Sequence, residues 1–223
     1  MRGRVETAAL FDLSHTLCGA FLAECRYPWQ ALPHIGDWIE VLGKGLSPKD
    51  YEQCAPSVWI ARSARVASAV CISGPCIIGA ETEVRHGAFL RGNTLVGAKC
   101  VVGNSTELKN AVLFDDVQVP HFNYVGDSIL GHRAHFGAGV VTSNVKCDKS
   151  LVCIRLGGES LPTGRKKVGA MVGDGAEVGC NSVLNPGTVL GRGSVIYPLS
   201  AVRGVVPAGM IYKGRDAICP RCN

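Results

Sequence analysis

Apolar residues recur every six positions through most of this chain, and this spacing constrains the fold more than any other feature. An α-helix repeats every 3.6 residues and a strand every two, so neither matches a sustained period of six. The series covers residues 60–120 and returns over residues 172–202. Its members are Ile60, Val66, Ile72, Ile78, Val84, Leu90, Val96, Val102, Leu108, Phe114 and Pro120, then Val172, Val178, Leu184, Leu190, Ile196 and Val202.

Small residues occupy a second fixed place in the repeat, four positions after the large one, as at Ala64, Cys76 and Thr82. This pairing is typical of a parallel β-helix in which three hexapeptides make one triangular coil. The large residue points into the prism, and coils stack at the strand spacing of about 4.8 Å. We therefore predict a mainly β fold, with a β-helix over residues 58–212, a helical segment over 1–57 and a tail over 213–223.

The first 57 residues have helical spacing instead of the six-residue period. The dipeptide Ser47-Pro48 has the form of an N-cap followed by proline at the first helical position, which predicts a short third helix. We interpret the segment as helices that pack on the body or on a partner subunit. Two apolar stripes define the first two helices: Leu10, Leu13, Leu17 and Phe21, then Ile35, Trp38, Ile39 and Leu42.

The repeat is interrupted twice. Phe114 and Leu130 are 16 residues apart, where three hexapeptides need 18. This shortening predicts a distorted coil that holds His121 and Tyr124. The second interruption, over residues 142–167, contains six basic residues against two acidic ones. Because the repeat resumes afterwards, we predict a basic loop that leaves the prism and clamps phosphate groups.

Composition argues against several classes of protein. No run of about 18 apolar residues indicates a membrane span, and no secretory signal region precedes the first helix, so we expect a cytoplasmic protein without a membrane partner. The formal net charge of +5 is mild and no basic stripe is interleaved with aromatics, so we expect a small anionic ligand and no nucleic acid. The terminal pair Cys219 and Cys222 is either half of a zinc site or a plain reduced tail.

The stretch from Gly103 to Asn144 resembles a known family. Its HFNYVGDS and GAG elements, with the later TGRKKVGA, are similar to the acetyltransferase part of the bacterial N-acetylglucosamine-1-phosphate uridyltransferase/glucosamine-1-phosphate acetyltransferases. They resemble still more closely the archaeal sugar-1-phosphate nucleotidyltransferases that carry an amino-sugar acetyltransferase domain. The resemblance covers Tyr27 to Lys213. No glycine-rich nucleotide loop is found, so the chain resembles the acyltransferase half alone.

This resemblance implies a left-handed coil, a homotrimer, and acetyl-CoA as acyl donor in a groove between neighbouring prisms. It implies an N-acetyltransferase that acts on an amino-sugar phosphate of the glucosamine-1-phosphate or galactosamine-1-phosphate type in nucleotide-sugar synthesis, with no metal required. By position, the resemblance implies catalytic roles for His121, Asn144 and Tyr124, substrate contacts from Arg85, Lys109, Tyr124, His135, Lys146 and Lys149, and coenzyme contacts from Ala138, Cys180, Lys213 and Arg215.

The implied chemistry is attack of an amine on a thioester. The amine is largely protonated at neutral pH, and histidine, with an ordinary pKa near 6.5, is a suitable base. His121 would take the proton. Backbone N–H groups of residues 137–139, or the amide of Asn144, would stabilise the tetrahedral oxyanion. Arg85 and Lys109 would hold the phosphate and so position the amine.

The chain departs from the family pattern at the wall that faces the sugar. His135 stands where the family has asparagine. Ser150 and Cys153 stand where the archaeal enzymes have lysines, with Lys146 and Lys149 nearby instead. The acceptor sugar therefore stays open.

Two other functions compete with the acetyltransferase interpretation. The chain could be a non-catalytic or regulatory partner of a separately encoded nucleotidyltransferase, docked through its N-terminal helices. It could also be a metalloenzyme of the carbonic anhydrase type, which needs three histidines converging on zinc from adjacent subunits. His86, His121, His132 and His135 supply enough imidazoles, but their spacing does not match that family.

Overall fold

The computed structural model describes residues 2–214 and 217–221 and consists of a parallel β-helix with short N-terminal helices. The α-helices are α1 Thr7–Leu10, α2 Gly19–Ala23 and α3 Ile35–Gly45, and the 3-10 helices are Arg2–Val5, Leu13–His15 and Pro28–Ala31. The strands are β1 Tyr51–Ala55, β2 Val58–Ala61, β3 Arg65–Val66, β4 Cys71–Ser73, β5 Cys76–Ile78, β6 Glu83–Val84, β7 Phe89–Arg91, β8 Thr94–Val96, β9 Val101–Asn104, β10 Glu107–Leu113, β11 Gln118–His121, β12 Tyr124–Leu130, β13 His135–Phe136, β14 Val141–Thr142, β15 Cys153–Leu156, β16 Glu159–Pro162, β17 Ala170–Val172, β18 Glu177–Val178, β19 Val183–Leu184, β20 Thr188–Leu190, β21 Val195–Ile196, β22 Ala201–Val202, β23 Val205–Val206, β24 Met210–Gly214 and β25 Ala217–Pro220.

Strands of successive coils pair in parallel along three faces, which confirms the predicted hexapeptide β-helix. Face I contains β3, β6, β9, β11, β13, β18, β21 and β24. Face II contains β4, β7, β14, β19 and β22, and face III contains β2, β5, β8, β17, β20 and β23. The long strands β10 and β12 run round the corner between faces II and III and belong to both. The handedness of the coil stays an expectation from the resemblance.

The interior of the prism contains the large residues of the repeat. Val84, Leu90 and Val96 are at most 1% exposed, as the six-residue period predicts. Val66 is 36% exposed because its coil is at the end of the prism. The small positions hold buried hydroxyls that bond to carbonyls, such as Thr82 Oγ1 to the Gly97 oxygen at 2.7 Å. The Thr82 hydroxyl is therefore paired, as burial requires, whereas the buried Ser194 Oγ has no hydrogen-bond partner among the described residues.

The N-terminal segment packs against face III. The outward side chains of this face are apolar and buried, as at Ile77, Leu95 and Ile129, so its strands read as continuous apolar runs. Helix α3, predicted from the second stripe, is confirmed and lies on this face. The first stripe is divided among short helices instead of forming one. None of the helices within the described residues is long and apolar enough to cross a membrane.

The predicted third helix at Ser47-Pro48 is wrong. A turn occupies this position, and the following residues Tyr51–Ala55 form β1, which pairs antiparallel with β2. Pairing with the first coil supplies backbone hydrogen-bond partners that an isolated turn of helix would lack. Tertiary contacts here override a local capping signal.

The corner between faces III and I joins the N-terminal segment to the coils. The carboxylate of Asp174 accepts hydrogen bonds from the backbone nitrogens of Asp12 at 2.7 Å and His132 at 2.9 Å. The imidazoles of His15 and His132 stack with centroids 3.7 Å apart. Burial raises the pKa of Asp174. His132 therefore belongs to a structural contact between the segment and the prism.

The lost residues of the repeat lie at a different corner from the one that the spacing suggested. Leu108 pairs with Leu90, 18 positions earlier, whereas Val112 pairs with Leu95, only 17 earlier. One residue is therefore missing at the Lys109-Asn110 corner of β10. The second residue is missing at the corner of β12. Strand β12 pairs with β10 and with β14 at an offset of 17 residues instead of 18, as in Leu113 with Leu130 and Tyr124 with Val141. The turn of His121 keeps ordinary spacing, so the predicted distortion there is wrong.

Gly103 tests the close approach of neighbouring coils on face I. A Cβ at this position would lie 1.5 Å from the backbone oxygen of Pro120, so any side chain forces the coils apart. We expect Gly103→Ala to cost about 1–3 kcal/mol of stability and to lower the melting temperature by roughly 3–10 °C. Thermal unfolding followed by circular dichroism measures it. Gly45→Ala is the control, because a Cβ there meets nothing within 4 Å; an equal shift in both variants would contradict this account.

Candidate active site

One corner of the prism, between faces I and II, collects several of the predicted site residues, and we call it the histidine corner. His86, Asn104, His121, Ala138 and Cys180 occupy it in successive coils. Backbone bonds link the turns, since the Gly139 nitrogen donates to the His121 oxygen at 3.0 Å and the Asn181 nitrogen to the Ala138 oxygen at 2.8 Å. The predicted base and the first two predicted coenzyme residues thus lie along one line.

His121 is the last residue of β11 and is held by its backbone. Its N–H donates to Asn123 Oδ1 at 3.1 Å, and the buried Asn123 amide donates to the Gly137 oxygen at 2.9 Å. The next residue, Phe122, has φ 52° and is 61% exposed, an unusual conformation for a bulky side chain. Within the described residues the His121 imidazole has no hydrogen-bond partner, so both ring nitrogens are open to a ligand.

A cavity of about 780 Å³ opens beside His121 on face I, and Arg85, His86 and Asn104 also line it. Arg85 forms a two-point ion pair with Glu83, with Nε–Oε1 at 3.2 Å and Nη2–Oε2 at 3.3 Å. The hydrogen bond from Arg85 lowers the pKa of the Glu83 carboxyl. Arg85 therefore lies near His121, and the structure does not bring it to Lys109 within one chain.

The three amides of residues 137–139 are not equivalent. Gly137 N–H donates to the Val178 oxygen at 2.7 Å, and Gly139 N–H to His121. Ala138 N–H has no acceptor among the residues that the structure describes. Of the three predicted backbone donors, this amide is therefore the one left for an oxyanion. The sulfur of Cys180 lies against Gly137, where an added Cβ would be 2.8 Å from it.

Lys213 lies further along the same side of the prism. It follows the paired residues of β24, and its Nζ is 5.5 Å from the ring centroid of Tyr197 on the preceding coil. Tyr197 in turn follows β21, one coil after Gly179. Lys213 is thus placed at the far end of the column that begins at Gly137. Arg215, the other residue predicted to meet the coenzyme, lies outside the described residues.

A second cluster lies at the corner between faces II and III, where the residues are missing; we call it the aspartate corner. The carboxylate of Asp127 is 2% exposed and accepts from Asn110 Nδ2 at 3.0 Å, Asn144 Nδ2 at 2.5 Å and Lys109 Nζ at 3.4 Å. The Asn144 amide also donates to Tyr124 Oη at 3.3 Å. Asp127 thus joins Lys109, Asn144 and Tyr124, three of the predicted site residues, into one network.

The neighbours of Asp127 explain the GDS element of the motif. A Cβ on Gly126 would lie 2.5 Å from Tyr124 Oη, so glycine lets this ring lie flat over face II. Ser128 Oγ accepts from the Ala170 nitrogen at 2.9 Å and closes the insertion, where a Cβ on Gly169 would be 2.1 Å from the Gly126 oxygen. Burial and then the charge of Asp127 raise the pKa of the Tyr124 phenol, which stays protonated at neutral pH.

A basic cavity of about 560 Å³ adjoins Asp127. Arg91 precedes Lys109 by one coil on face II, about 4.8 Å away across the strands. Leu32 and Pro33 of the N-terminal segment form another wall, fixed by a bond from Asn110 Nδ2 to the Leu32 oxygen at 3.2 Å. The cationic residues that line this cavity are Arg91, Lys109, Arg165, Lys166 and Lys167.

Sequence reasoning missed Arg91 and Asp127 as site residues and did not single out Arg165. A usable signal existed for Arg91, because residues separated by three hexapeptides share a face, and Arg91 and Lys109 differ by 18 positions. No pairwise signal in one sequence could have shown that Asp127 collects three donors.

The remaining predicted substrate residues are elsewhere. Lys146 donates to Ser150 Oγ and lines a separate cavity, and Lys149 is exposed. His135 lies on face I, with Nδ1 2.9 Å from Glu177 Oε2. The structure does not bring these three residues to the Asp127 network. No grouping of three metal-ligating side chains occurs within residues 2–214 and 217–221, and Cys222, the second cysteine of the terminal pair, is outside them.

Comparison with known proteins identifies relatives of this chain. The chain is 31% identical over 204 residues to a bifunctional sugar-1-phosphate nucleotidylyltransferase/acetyltransferase of Sulfurisphaera tokodaii, which covers 82% of the chain and 51% of that protein. It is 36% identical over 109 residues to the bifunctional protein GlmU of Methanococcus maripaludis, covering 49% of the chain and 26% of the relative. The chain thus spans about half the length of the first relative and about a quarter of the second.

Two further comparisons gave matches. A family model described as the GMPPB C-terminal domain matches residues 72–155. The acetyltransferase domain of PglB from Neisseria gonorrhoeae, solved with acetyl coenzyme A, aligns with a TM-score of 0.35 and 16% identity, over 74% of this chain and 57% of that one. The chain is related, over most of its length, to the C-terminal part of a bifunctional sugar-1-phosphate nucleotidylyltransferase/acetyltransferase.

Proposed function

We propose that this protein is an acetyl-CoA-dependent N-acetyltransferase that acts on an amino-sugar phosphate. The observation that carries the proposal is the Asp127 network, which joins Tyr124 and Asn144 to a cationic wall suited to a phosphate. The acetyltransferase names of the relatives support the reaction class.

The phosphate of the acceptor binds at the aspartate corner. Arg91 donates from Nη1 to Glu107 Oε1 at 2.7 Å, and its remaining N–H groups and Lys109 are charged donors on adjacent coils. Arg165 to Lys167 close over them from the end of the insertion. Charge-assisted hydrogen bonds of this kind are the strong ones, and arginine matches the geometry of a phosphate. The sugar ring then lies over Tyr124. This residue is two positions along the strand, or about 7 Å along face II, from the phosphate.

The thioester binds along the histidine corner. Ala138 N–H is a free donor for the thioester carbonyl oxygen, and the chain of the coenzyme runs along the column of Gly137 and Gly179. Lys213 at the far end of this column would meet the phosphates of the coenzyme. In the homotrimer that we expect, this groove lies between neighbouring prisms.

The chemical step is direct transfer. The amine nitrogen of the acceptor attacks the thioester carbon, and His121 accepts the proton that the nitrogen loses. Ala138 N–H stabilises the oxyanion of the tetrahedral intermediate. The carbon–sulfur bond then breaks, and the imidazolium returns the proton to the departing sulfur. The products are an N-acetylated sugar phosphate and the free coenzyme thiol.

A thiol-release assay with acetyl-CoA tests the function. Glucosamine-1-phosphate, galactosamine-1-phosphate and their nucleotide forms are the acceptors, and mass spectrometry identifies the acetylated product. Release that depends on the amino sugar supports the proposal. Absence of release with all four acceptors, from protein shown to be folded, would contradict it and would favour the non-catalytic interpretation.

Arg91 and Arg85 lie near different corners, so substituting each in turn tests where the phosphate of the acceptor binds. We expect Arg91→Gln to raise the KM for the acceptor about tenfold, because a charge-assisted contact to the phosphate is lost. Arg85→Gln, at the other corner, should change this KM by less than about threefold. Steady-state kinetics with varied acceptor measure both. A larger KM effect from Arg85 would place the phosphate beside His121 instead.

A further inference from the structure

A second basic cavity, of about 410 Å³, lies on the opposite side of the insertion from the aspartate corner. The hairpin β15–β16 forms one wall, and the coils that follow the insertion form the other, through Asn185 to Gly187 and Arg203 to Gly204. It shares no lining residue with the cavity at Asp127. None of the residues assigned above to the acceptor phosphate or to the thioester lines it.

Two glycines fix the hairpin against the coils. Gly187 has φ +77°, and a Cβ there would lie 2.9 Å from Val152 Cγ1. Gly204 has φ +85°, and a Cβ there would lie 3.2 Å from the Arg155 oxygen. Side chains at these turns would push the hairpin away. The backbone of Arg155 is therefore held beside Gly204, and Arg203 directly precedes Gly204 in the chain.

The two arginines have no acidic partner in the described part of the chain. Arg203 Nη2 donates to Asn185 Oδ1 at 3.4 Å, and Arg155 forms no ion pair there. Asp148, the acidic residue of this lining, accepts from Ser150 and lies 3.8 Å from Lys146 Nζ, so its charge is already balanced. Two arginines on the lining of one cavity without an acidic partner favour an anion in that cavity.

We propose that Arg155 and Arg203 form a second site, which binds the phosphate of a phosphate ester or pyrophosphate. Arginine donates paired hydrogen bonds that fit phosphate oxygens, and Ser143 and Ser160 add hydroxyl donors on the same lining. The phosphate has two sources. It belongs either to a nucleotide coenzyme held by a neighbouring copy or to a free phosphorylated small molecule.

Pyrophosphate is the probe, and isothermal calorimetry on the full chain is the measurement. Arg91→Gln and Lys166→Gln together weaken the first cavity and form the background. In this background, Arg203→Gln and Arg155→Gln should each raise the pyrophosphate Kd about tenfold. Arg133→Gln, an exposed arginine on another corner, is the matched control and should leave the Kd unchanged. Thermal unfolding checks that each variant is folded.

Unchanged binding in both the Arg155 and the Arg203 variants would overturn the site. Comparison of coenzyme A with its 3′-dephospho form then separates the two sources. If Arg203→Gln removes the preference for the 3′-phosphate, the coenzyme supplies it; if the preference persists while pyrophosphate binding falls, a free molecule does. Because these titrations need no turnover, failure of the acetyl-transfer assay would leave this site standing.

Discussion

Replacing His121 by alanine is expected to lower turnover about 100-fold or more with acetyl-CoA and an amino-sugar phosphate, the usual contribution of a general base. The effect should be on kcat, since the phosphate contacts lie at the other corner. The imidazole makes no hydrogen bond within the described residues, and the backbone of its turn is fixed by Asn123. The β-helix should therefore stay folded without the ring. Thiol release, with thermal unfolding in parallel, measures both properties.

His86→Ala is the matched control for this substitution. His86 is on the same corner, but its ring nitrogen lies 2.9 Å from Asn104 Nδ2, so it is already engaged. We expect its turnover to stay within about threefold of the natural protein, as for most substitutions away from reacting atoms. An unchanged rate in His121→Ala would remove His121 from the mechanism, and equal losses in both variants would assign the corner a structural role.

The six-residue repeat predicted the β-helix because the size of the residue at each repeat position can be read from the sequence. Large residues such as Leu90 fill the interior, and small ones such as Thr82 fit near a turn. The counting of hexapeptides failed only where residues are missing. Leu113 and Phe114 are both apolar and both fully buried, so either could take the repeat position, and the frame was assigned to Phe114. The structure assigns it to Leu113, which pairs with Val96.

The candidate site was harder to predict because its residues meet across coils. Arg85 and Arg91 are one hexapeptide apart and therefore lie on different faces. A single sequence does not tell which face receives a phosphate, and the resemblance pointed to Arg85. His121, Tyr124 and Asn144 were predicted as catalytic from one motif region, and the structure places His121 at one corner and the other two residues at another. The stacking of coils determines which corner each residue occupies, and a linear motif contains no information about this stacking.

Asp127 gives the other large expected effect. Asp127→Asn keeps the size of the side chain but removes the charge that faces Lys109, and its amide N–H group would point at either Asn110 or Asn144, which are themselves donors. Lys109, Asn144 and Tyr124 then lose their common anchor. We expect kcat/KM for the acceptor to fall about 100-fold, the loss typical of misplacing reacting groups by about 1 Å. The melting temperature should fall as well, because a buried polar group is left unsatisfied, at a cost of about 1–3 kcal/mol.

Three measurements separate positioning by Asp127 from a merely structural role. A positioning role raises the KM for the acceptor and lowers kcat, while the affinity for coenzyme A, measured by calorimetry, stays near that of the natural protein because the histidine corner is intact. A structural role would weaken both ligands in proportion to the unfolded fraction. Asp37→Asn, an exposed carboxylate on α3, is the control and should change neither. Full activity in Asp127→Asn would contradict the role of the network, because the three side chains would then hold their places without the carboxylate that joins them.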